Sequence, residues 1–163
     1  MKRLTIGGDA CIETLALLIA MAWADGRLDD HERDGVRAAA SVFNLTKELR
    51  ERLDELLERP LGVDELLVDG LSARDKAFAY VAAAWMSGVD DDVDAKEEEL
   101  LARAGKLLGF TDQRRAELAR IARDLEPLRK DKRSWTTEIV ALFKAIPVRL
   151  EGDGTESFEV AFE

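Results

Sequence analysis

The hydrophobic run from Leu15 to Ala24 is apolar on every side, which predicts a central helix buried by its neighbours. A second such run, AFAYVAAAWMSG at residues 77–88, aligns with LALLIAMAWADG at residues 15–26, so that Trp85 matches Trp23. The correspondence resumes after a three-residue insertion, and this self-similarity indicates an internal repeat. Each copy has the pattern of an apolar helix, an acidic turn and two further helices.

Local signals at the helix ends support this pattern. Thr46 and Thr111 are the predicted N-caps of the third helices, and Gly109 is predicted to end the helix before the second of them. Ser72, followed by Asp75, is predicted to start the helix that carries Trp85. Because Trp85 matches Trp23, core packing explains both tryptophans better than ligand stacking.

The pattern divides the chain into a helical domain and a short C-terminal hairpin. The helical domain is predicted over residues 1–147, with repeats over about 9–58 and 72–125 and a last helix over about 134–146. The predicted fold class is therefore all-α: a two-repeat helical bundle with three helices per repeat, a C-terminal helix and a small β-hairpin.

The hairpin prediction depends on alternation after Pro147, which is expected to end the last helix. Val148 and Leu150 alternate with Arg149 and Glu151, and the aromatic and valine residues of FEVAF at 158–162 alternate with Glu159 and Ala161. Gly-Asp-Gly lies between the two stretches. The predicted hairpin covers residues 148–163. Because an isolated hairpin is marginally stable in water, its apolar face must pack on the bundle or on another chain.

Charge restricts the class of partner. The chain has 163 residues, 24 Lys and Arg against 34 Asp and Glu, and a net charge of −10. Such a surface repels phosphate backbones, so nucleic acid is not expected as a partner, whereas cations and basic protein surfaces are. One cysteine fits a reducing compartment, and ten apolar residues are too few to span a bilayer, so a cytoplasmic protein without a transmembrane segment is expected.

The first acidic turn carries Asp25, Asp29 and Glu32. Asp29 and Glu32 have the spacing of a capping box, which satisfies backbone N–H groups at the start of a helix. Asp25 is not explained in this way, because it follows the carboxyl end of a helix, where the helix dipole disfavours negative charge. Since carboxylates and free carbonyls are the ligands of hard cations, the turn fits either a cation site or a solvated acidic turn.

The second acidic turn is richer in carboxylates. Its candidate ligands are Asp90, Asp92, Asp94 and Glu97. The alternate spacing of the three aspartates is that of a calcium loop, but Ala95 stands where an EF-hand needs glycine and Leu101 where it needs glutamate. The EF-hand is therefore excluded. Crowded carboxylates repel one another unless a cation or a basic partner binds.

These turns resemble the TerB-like domains named for tellurite resistance. The family is marked by a helix ending in Ala-Asp-Gly, followed by an apolar residue, an acid and a glutamate, with a degenerate second copy. The first copy here is Ala24-Asp25-Gly26, Leu28, Asp29 and Glu32, and the second is Gly88, Val93, Asp94 and Glu97. The resemblance covers residues 9–125, and Ser87 departs from it where the second copy would have the equivalent of Asp25.

The resemblance implies an all-α bundle with a divalent-metal-binding acidic surface, a role in stress response, and protein partners at the inner membrane face. Calcium is the expected ion. The alternative is a metal-free acidic module that binds a basic protein directly, and a hydrolase using paired carboxylates is a third hypothesis. The chain has no phosphate loop, Ser-His-Asp set or HExxH motif, so it is not expected to be an enzyme. A homodimer through the C-terminal hairpin is also considered.

Overall fold

A computed structural model describes residues 2–23, 30–43, 45–59, 69, 71–87, 95–125, 135–151 and 158–162. Within these residues the chain forms seven α-helices and two β-strands, which confirms a mostly helical protein. In chain order the elements are β1 (Lys2–Ile6), α1 (Gly8–Trp23), α2 (Asp30–Val42), α3 (Lys47–Glu58), α4 (Ala73–Ser87), α5 (Ala95–Leu107), α6 (Asp112–Asp124), α7 (Trp135–Glu151) and β2 (Phe158–Phe162).

The third helix of each predicted repeat begins with the same cap. The Thr46 side chain accepts a hydrogen bond from the Leu49 backbone N–H at 3.3 Å, and the Thr111 side chain accepts one from the Arg114 N–H at 3.1 Å. Each satisfies one of the N–H groups that a helix start leaves without an intrahelical partner. These caps were predicted from sequence and are confirmed, while the superposition of the two halves stays a prediction.

Helices α1 and α4 form the centre of the core. Every residue of α1 from Ala10 to Ala20 is buried, and so is every residue of α4 from Ala77 to Ala83. They pack against each other, α3 packs on α1, and α5, α6 and α7 pack on α4. Although α1 is apolar on nearly all sides, none of the helices in the described ranges is long and apolar enough to cross a membrane.

Four phenylalanines join elements that are distant in sequence. The rings of Phe43 and Phe143 stack with centroids 4.8 Å apart, and Phe162 meets Phe43 edge-on at 4.8 Å. Phe78 meets Phe143 edge-on at 4.9 Å. Offset stacked and edge-to-face contacts of this kind are favourable beyond the area they bury. The cluster therefore fixes α4, α7, β2 and the end of α2 relative to one another.

The predicted C-terminal hairpin is wrong. Val148 and Leu150 belong to α7, which runs to Glu151 rather than ending at Pro147. The second predicted strand does form, as β2, but it pairs in parallel with β1 near the start of the chain, so that Lys2 lies opposite Phe158 and Ile6 opposite Phe162. The described residues thus contain a parallel strand pair in place of an antiparallel hairpin.

Packing explains why α7 continues through Pro147. Phe143, Ile146 and Leu150 recur with helical spacing, and the first two are fully buried while Leu150 packs against the core. The alternation of Val148, Arg149 and Leu150 that predicted a strand covers only three residues, and a pattern this short is also compatible with a helix. An interior proline lacks one backbone hydrogen bond and costs roughly 3 kcal/mol. Burial of this face, together with Pro147 itself, offsets that cost.

Candidate functional site

The first acidic turn lies between α1 and α2. Asp25 and Asp29 fall in residues 24–29, outside the described residues. Glu32 is the third residue of α2, and its side chain is not described. Because α2 begins at Asp30, Asp29 directly precedes the helix in sequence.

The second acidic turn lies between α4 and α5. Asp90, Asp92 and Asp94 fall in residues 88–94 and are likewise outside the described residues. Glu97 is the third residue of α5, as Glu32 is of α2, and its side chain is not described either. The matching helix starts agree with the predicted correspondence of the two turns.

Helices α1 and α4 run in the same direction. Burial, together with the nearby negative charge of Asp75, raises the pKa of the Cys11 thiol to about 12. Cys11 is near the amino end of α1 and Asp75 near the amino end of α4, so these two ends are neighbours. The two helices also make the most extensive helix–helix contact among the described elements. Helices that adjoin at their amino ends and also pack extensively must be parallel.

The parallel arrangement brings the starts of both acidic turns to one end of the bundle. From Cys11 to Trp23 and from Asp75 to Ser87 the chain advances twelve residues in each case. At 1.5 Å per residue, each step covers about 18 Å. Trp23 and Ser87, after which residues 24–29 and 88–94 follow in sequence, therefore lie at the same end of the bundle.

The carboxyl ends of α1 and α4 carry no compensating charge of their own. Neither helix has a basic residue in its last turn, whereas α5, α6 and α7 have Lys106, Arg123 and Arg149 there. The carboxyl end of a helix is equivalent to about half a negative charge. Two parallel helix ends of this kind add to the negative potential of the acidic residues that follow them.

Trp85 connects this end of the bundle to α6. Its indole Nε1–H donates a hydrogen bond to the Leu125 carbonyl at 2.9 Å, and Trp85 lies two residues before the end of α4. Leu125 is the C-cap of α6. Nearer the amino end of both helices, Arg115 of α6 donates a hydrogen bond to the Tyr80 hydroxyl of α4 at 3.3 Å. The core role predicted for Trp85 is therefore confirmed, and the carboxyl end of α6 lies close to the second turn's attachment point.

A buried ion pair was not found by sequence reasoning. Arg52 of α3 contacts the carboxylate of Glu13, which is only 5% exposed within the apolar helix α1. The sequence did contain a signal for this ion pair, because Glu13 is an acidic residue within an otherwise apolar helix. Its partner, in a different helix, could not be assigned from the sequence.

Helix α3 also carries an exposed acidic stripe, defined here as Glu48, Glu51, Glu55 and Glu58. Their spacing of three, four and three residues places them on one face of the helix. All four are exposed, so this half of the bundle presents negative charge beyond the two turns.

Among the side chains that the structure describes, no group of three or more His, Cys, Asp or Glu residues could hold a metal ion. None of the seven predicted ligands is among those side chains. The metal site therefore stays a prediction.

A comparison with known families matches residues 10–122 to the family described as "Protein of unknown function (DUF533)". DUF533 is a TerB-like family, which agrees with the resemblance in the acidic turns. The match covers most of α1, all of α2 to α5 and most of α6, and it includes neither strand nor α7. No curated protein and no solved structure matches the chain.

Proposed function

The chain belongs to the DUF533 family, and on this basis we propose that it is a TerB-like stress-response protein, of the tellurite-resistance type, that binds a divalent cation at its acidic turns. Calcium is the proposed ion. The proposed ligands are Asp25, Asp29 and Glu32 of the first turn, with Asp90, Asp92, Asp94 and Glu97 of the second. Cation binding would neutralise this end of the bundle and present a surface to a protein partner. We propose that this partner is at the inner membrane face, as the resemblance to TerB-like domains implies.

The observation that carries the proposal is the parallel course of α1 and α4. Because the two helices run in the same direction, their last residues, Trp23 and Ser87, lie at the same end of the bundle, and the two acidic turns follow them in sequence. Residues 24–32 contain four Asp or Glu residues and residues 88–99 contain seven. Hard divalent cations prefer oxygen ligands, and their affinity rises with the number of charged ligands. A shared site, or two neighbouring sites, would relieve the repulsion that this arrangement creates.

Calorimetric titration of the metal-stripped protein with calcium and with magnesium tests the proposal. We expect saturable calcium binding that is lost or strongly weakened by Asp25→Ala and by Asp92→Ala. Glu51→Ala removes the same charge from the exposed face of α3, so it is the matched control and should leave the affinity unchanged. Flat heats, or equal weakening by all three variants, would reject a specific site.

Thermal unfolding gives an independent readout. Calcium at about 100 times its Kd should stabilise the protein by roughly 2.7 kcal/mol, because a ligand that binds only the native state shifts the unfolding equilibrium. Asp25→Ala should abolish this stabilisation. If calcium does not change the thermal unfolding of the unmodified protein, the proposal is contradicted.

The acidic stripe on α3 favours a second candidate, a metal-free module that binds a basic protein. This stripe is exposed and lies outside the turns, so a basic helix could dock on it without a cation. A lysine-rich peptide should then bind in the presence of EDTA, with an affinity that falls as salt rises. Glu51→Ala should weaken this binding, and calcium should not strengthen it. The first candidate predicts the opposite dependence on calcium.

A further inference from the structure

Helices α4 and α6 are joined by two hydrogen bonds at different heights. Near their carboxyl ends, the Trp85 indole Nε1–H donates to the Leu125 carbonyl at 2.9 Å. Nearer their amino ends, Arg115 Nε donates to the Tyr80 hydroxyl at 3.3 Å. The two helices also pack against each other. Helices that meet in this order run in the same direction, so α6 finishes at the end of the bundle where α1 and α4 also finish.

Trp85 holds the last turn of α4 against a fixed point. It is buried and lies two residues before the helix ends. A buried indole N–H needs a partner, and here the partner is a backbone carbonyl at the C-cap of α6. Leu125 is itself buried, and its N–H bonds to the Ile121 and Ala122 carbonyls, both at 3.2 Å. Helix ends tend to fray, and this hydrogen bond opposes fraying at the end of α4.

The second acidic turn follows this anchored helix end directly in sequence. Residues 88–94 come after Ser87, and α5 begins at Ala95 and packs back on α4. Gathering several carboxylates around one ion costs conformational entropy. An attachment point that is already fixed in the folded protein lowers this cost, because less of the chain has to be ordered when the ion binds.

We infer that Trp85 is a positioning residue for the cation site, acting through its hydrogen bond to Leu125 and not through contact with the ion. The inference rests on the proposed function and names a residue that sets the affinity of the same site. Groups that hold metal ligands in place without touching the metal typically change metal affinity by about 10- to 100-fold. Trp85 holds the backbone that leads to the ligands, one step further away, so a smaller effect is expected.

Tyr80 provides a matched control. It is buried in the same helix and bonds to the same neighbour, α6, but it lies seven residues before the end of α4. At 1.5 Å per residue, it is about 7.5 Å further from the second turn than Trp85 is. Tyr80→Phe and Trp85→Phe each remove one hydrogen bond between α4 and α6. If Trp85 acted only through the general stability of this helix contact, the two variants would weaken calcium binding alike.

Calorimetric titration of the metal-stripped full chain with calcium compares the two variants. It is carried out at a temperature at which circular dichroism shows each variant to be fully native. Trp85→Phe should raise the Kd for calcium about threefold to tenfold, because the last turn of α4 is no longer held. Tyr80→Phe should change the Kd by less than about twofold, because sites that are well separated act independently.

Hydrogen exchange in the unmodified chain is a second measurement that needs no substitution. If the Trp85 hydrogen bond favours calcium binding, calcium must favour the hydrogen bond to the same extent. Calcium should therefore slow exchange at the Trp85 indole N–H and at the Leu125 amide. The Arg114 amide, which bonds to the Thr111 cap at the other end of α6, should exchange at the same rate with and without calcium.

The outcomes separate a failure of the positioning role from a failure of the cation site. If the unmodified chain binds calcium and Trp85→Phe has the same Kd, or if both variants weaken binding equally, the positioning role is wrong while the cation site stands. Equal slowing of exchange at Leu125 and Arg114 also overturns the positioning role. If the unmodified chain binds no calcium, the cation site and the positioning role are both overturned.

Discussion

The Arg52 guanidinium binds both carboxylate oxygens of Glu13, with Nε 2.9 Å from Oε1 and Nη2 3.2 Å from Oε2. Glu13 is 5% exposed and Arg52 is 25% exposed. Arg52→Met should lower the free energy of unfolding by about 2–3 kcal/mol, because it removes the bidentate partner of a buried carboxylate. This is less than for a fully buried pair, since Arg52 is partly solvated. Urea denaturation measures the change.

The double variant Glu13→Met/Arg52→Met is the control for this prediction. It removes both charges, so it should recover most of the stability that the single variant loses. If the double variant is as unstable as Arg52→Met, the loss comes from packing of the arginine stem and not from the loss of the ion pair.

Gly105 allows Arg115 to cross the surface of α5. A Cβ at this position would lie 2.7 Å from Arg115 Nε and 2.9 Å from its Cδ, so the arginine would have to move away from Tyr80. Gly105→Ala should therefore change stability by less than about 0.5 kcal/mol, because the better helix propensity of alanine is offset by the lost contact. Chemical denaturation tests this.

The same alanine should behave differently when Arg115 is absent. In an Arg115→Ala background, Gly105→Ala should stabilise the protein by about 0.5–1 kcal/mol, since only the propensity gain remains. A double-mutant cycle without coupling between the two positions would show that the close approach is not maintained in solution.

Cys11 should make stability fall at alkaline pH. The thiol pKa is raised from 9.0 to about 12 by burial and by Asp75, so the folded protein holds the proton more tightly than the unfolded chain does. The stabilisation is therefore complete below pH 9 and is lost as pH rises from 9 towards 12, by about 1.4 kcal/mol per pH unit.

Cys11→Ala is the comparison for the pH dependence. Its stability should fall less steeply than that of the unmodified protein above pH 9, while both profiles run parallel below that pH. Equal slopes above pH 9 would contradict the raised thiol pKa. The native thiol should also resist alkylation at pH 8, because burial leaves it protonated and inaccessible.

The Trp85 hydrogen bond should anchor the end of α6. Trp85→Phe keeps an aromatic ring but removes the donor to the Leu125 carbonyl, so the free energy of unfolding should fall by about 1–2 kcal/mol. Hydrogen exchange should accelerate in the last turn of α6 but not at the Thr111 cap. Uniform acceleration along the helix would mean that the indole stabilises packing in general.

Local signals identified several helix starts and one helix end correctly. The Thr46 and Thr111 caps, and Ser72 accepting from the Asp75 N–H at 3.1 Å, depend on residues three apart in sequence. Gly109, predicted to terminate a helix, has a φ of 80°, which glycine adopts without strain. Such features can be predicted from sequence because both partners of each interaction lie within one helical turn of each other.

Other features depend on partners far along the chain. β1 was not predicted, because five residues pair with a strand that begins at residue 158, and no local pattern specifies that partner. Pairing with β1 also explains why residues 158–162 form a strand, whereas residues 148–151, which have no such partner, belong to α7. The acidic turns were found from the repeat, but their common end follows from the direction of α4 relative to α1, which is a tertiary property.

The parallel pairing of β1 and β2 has a mechanical consequence. Tension applied at Lys2 and Phe162 pulls the two strands past each other along their length, because the strands share a direction and the pull acts on opposite ends of the pair. The evenly spaced hydrogen bonds of a parallel ladder are then strained together rather than one after another. The helices between the strands are shielded until the whole ladder breaks, so this short sheet acts as a clamp under force.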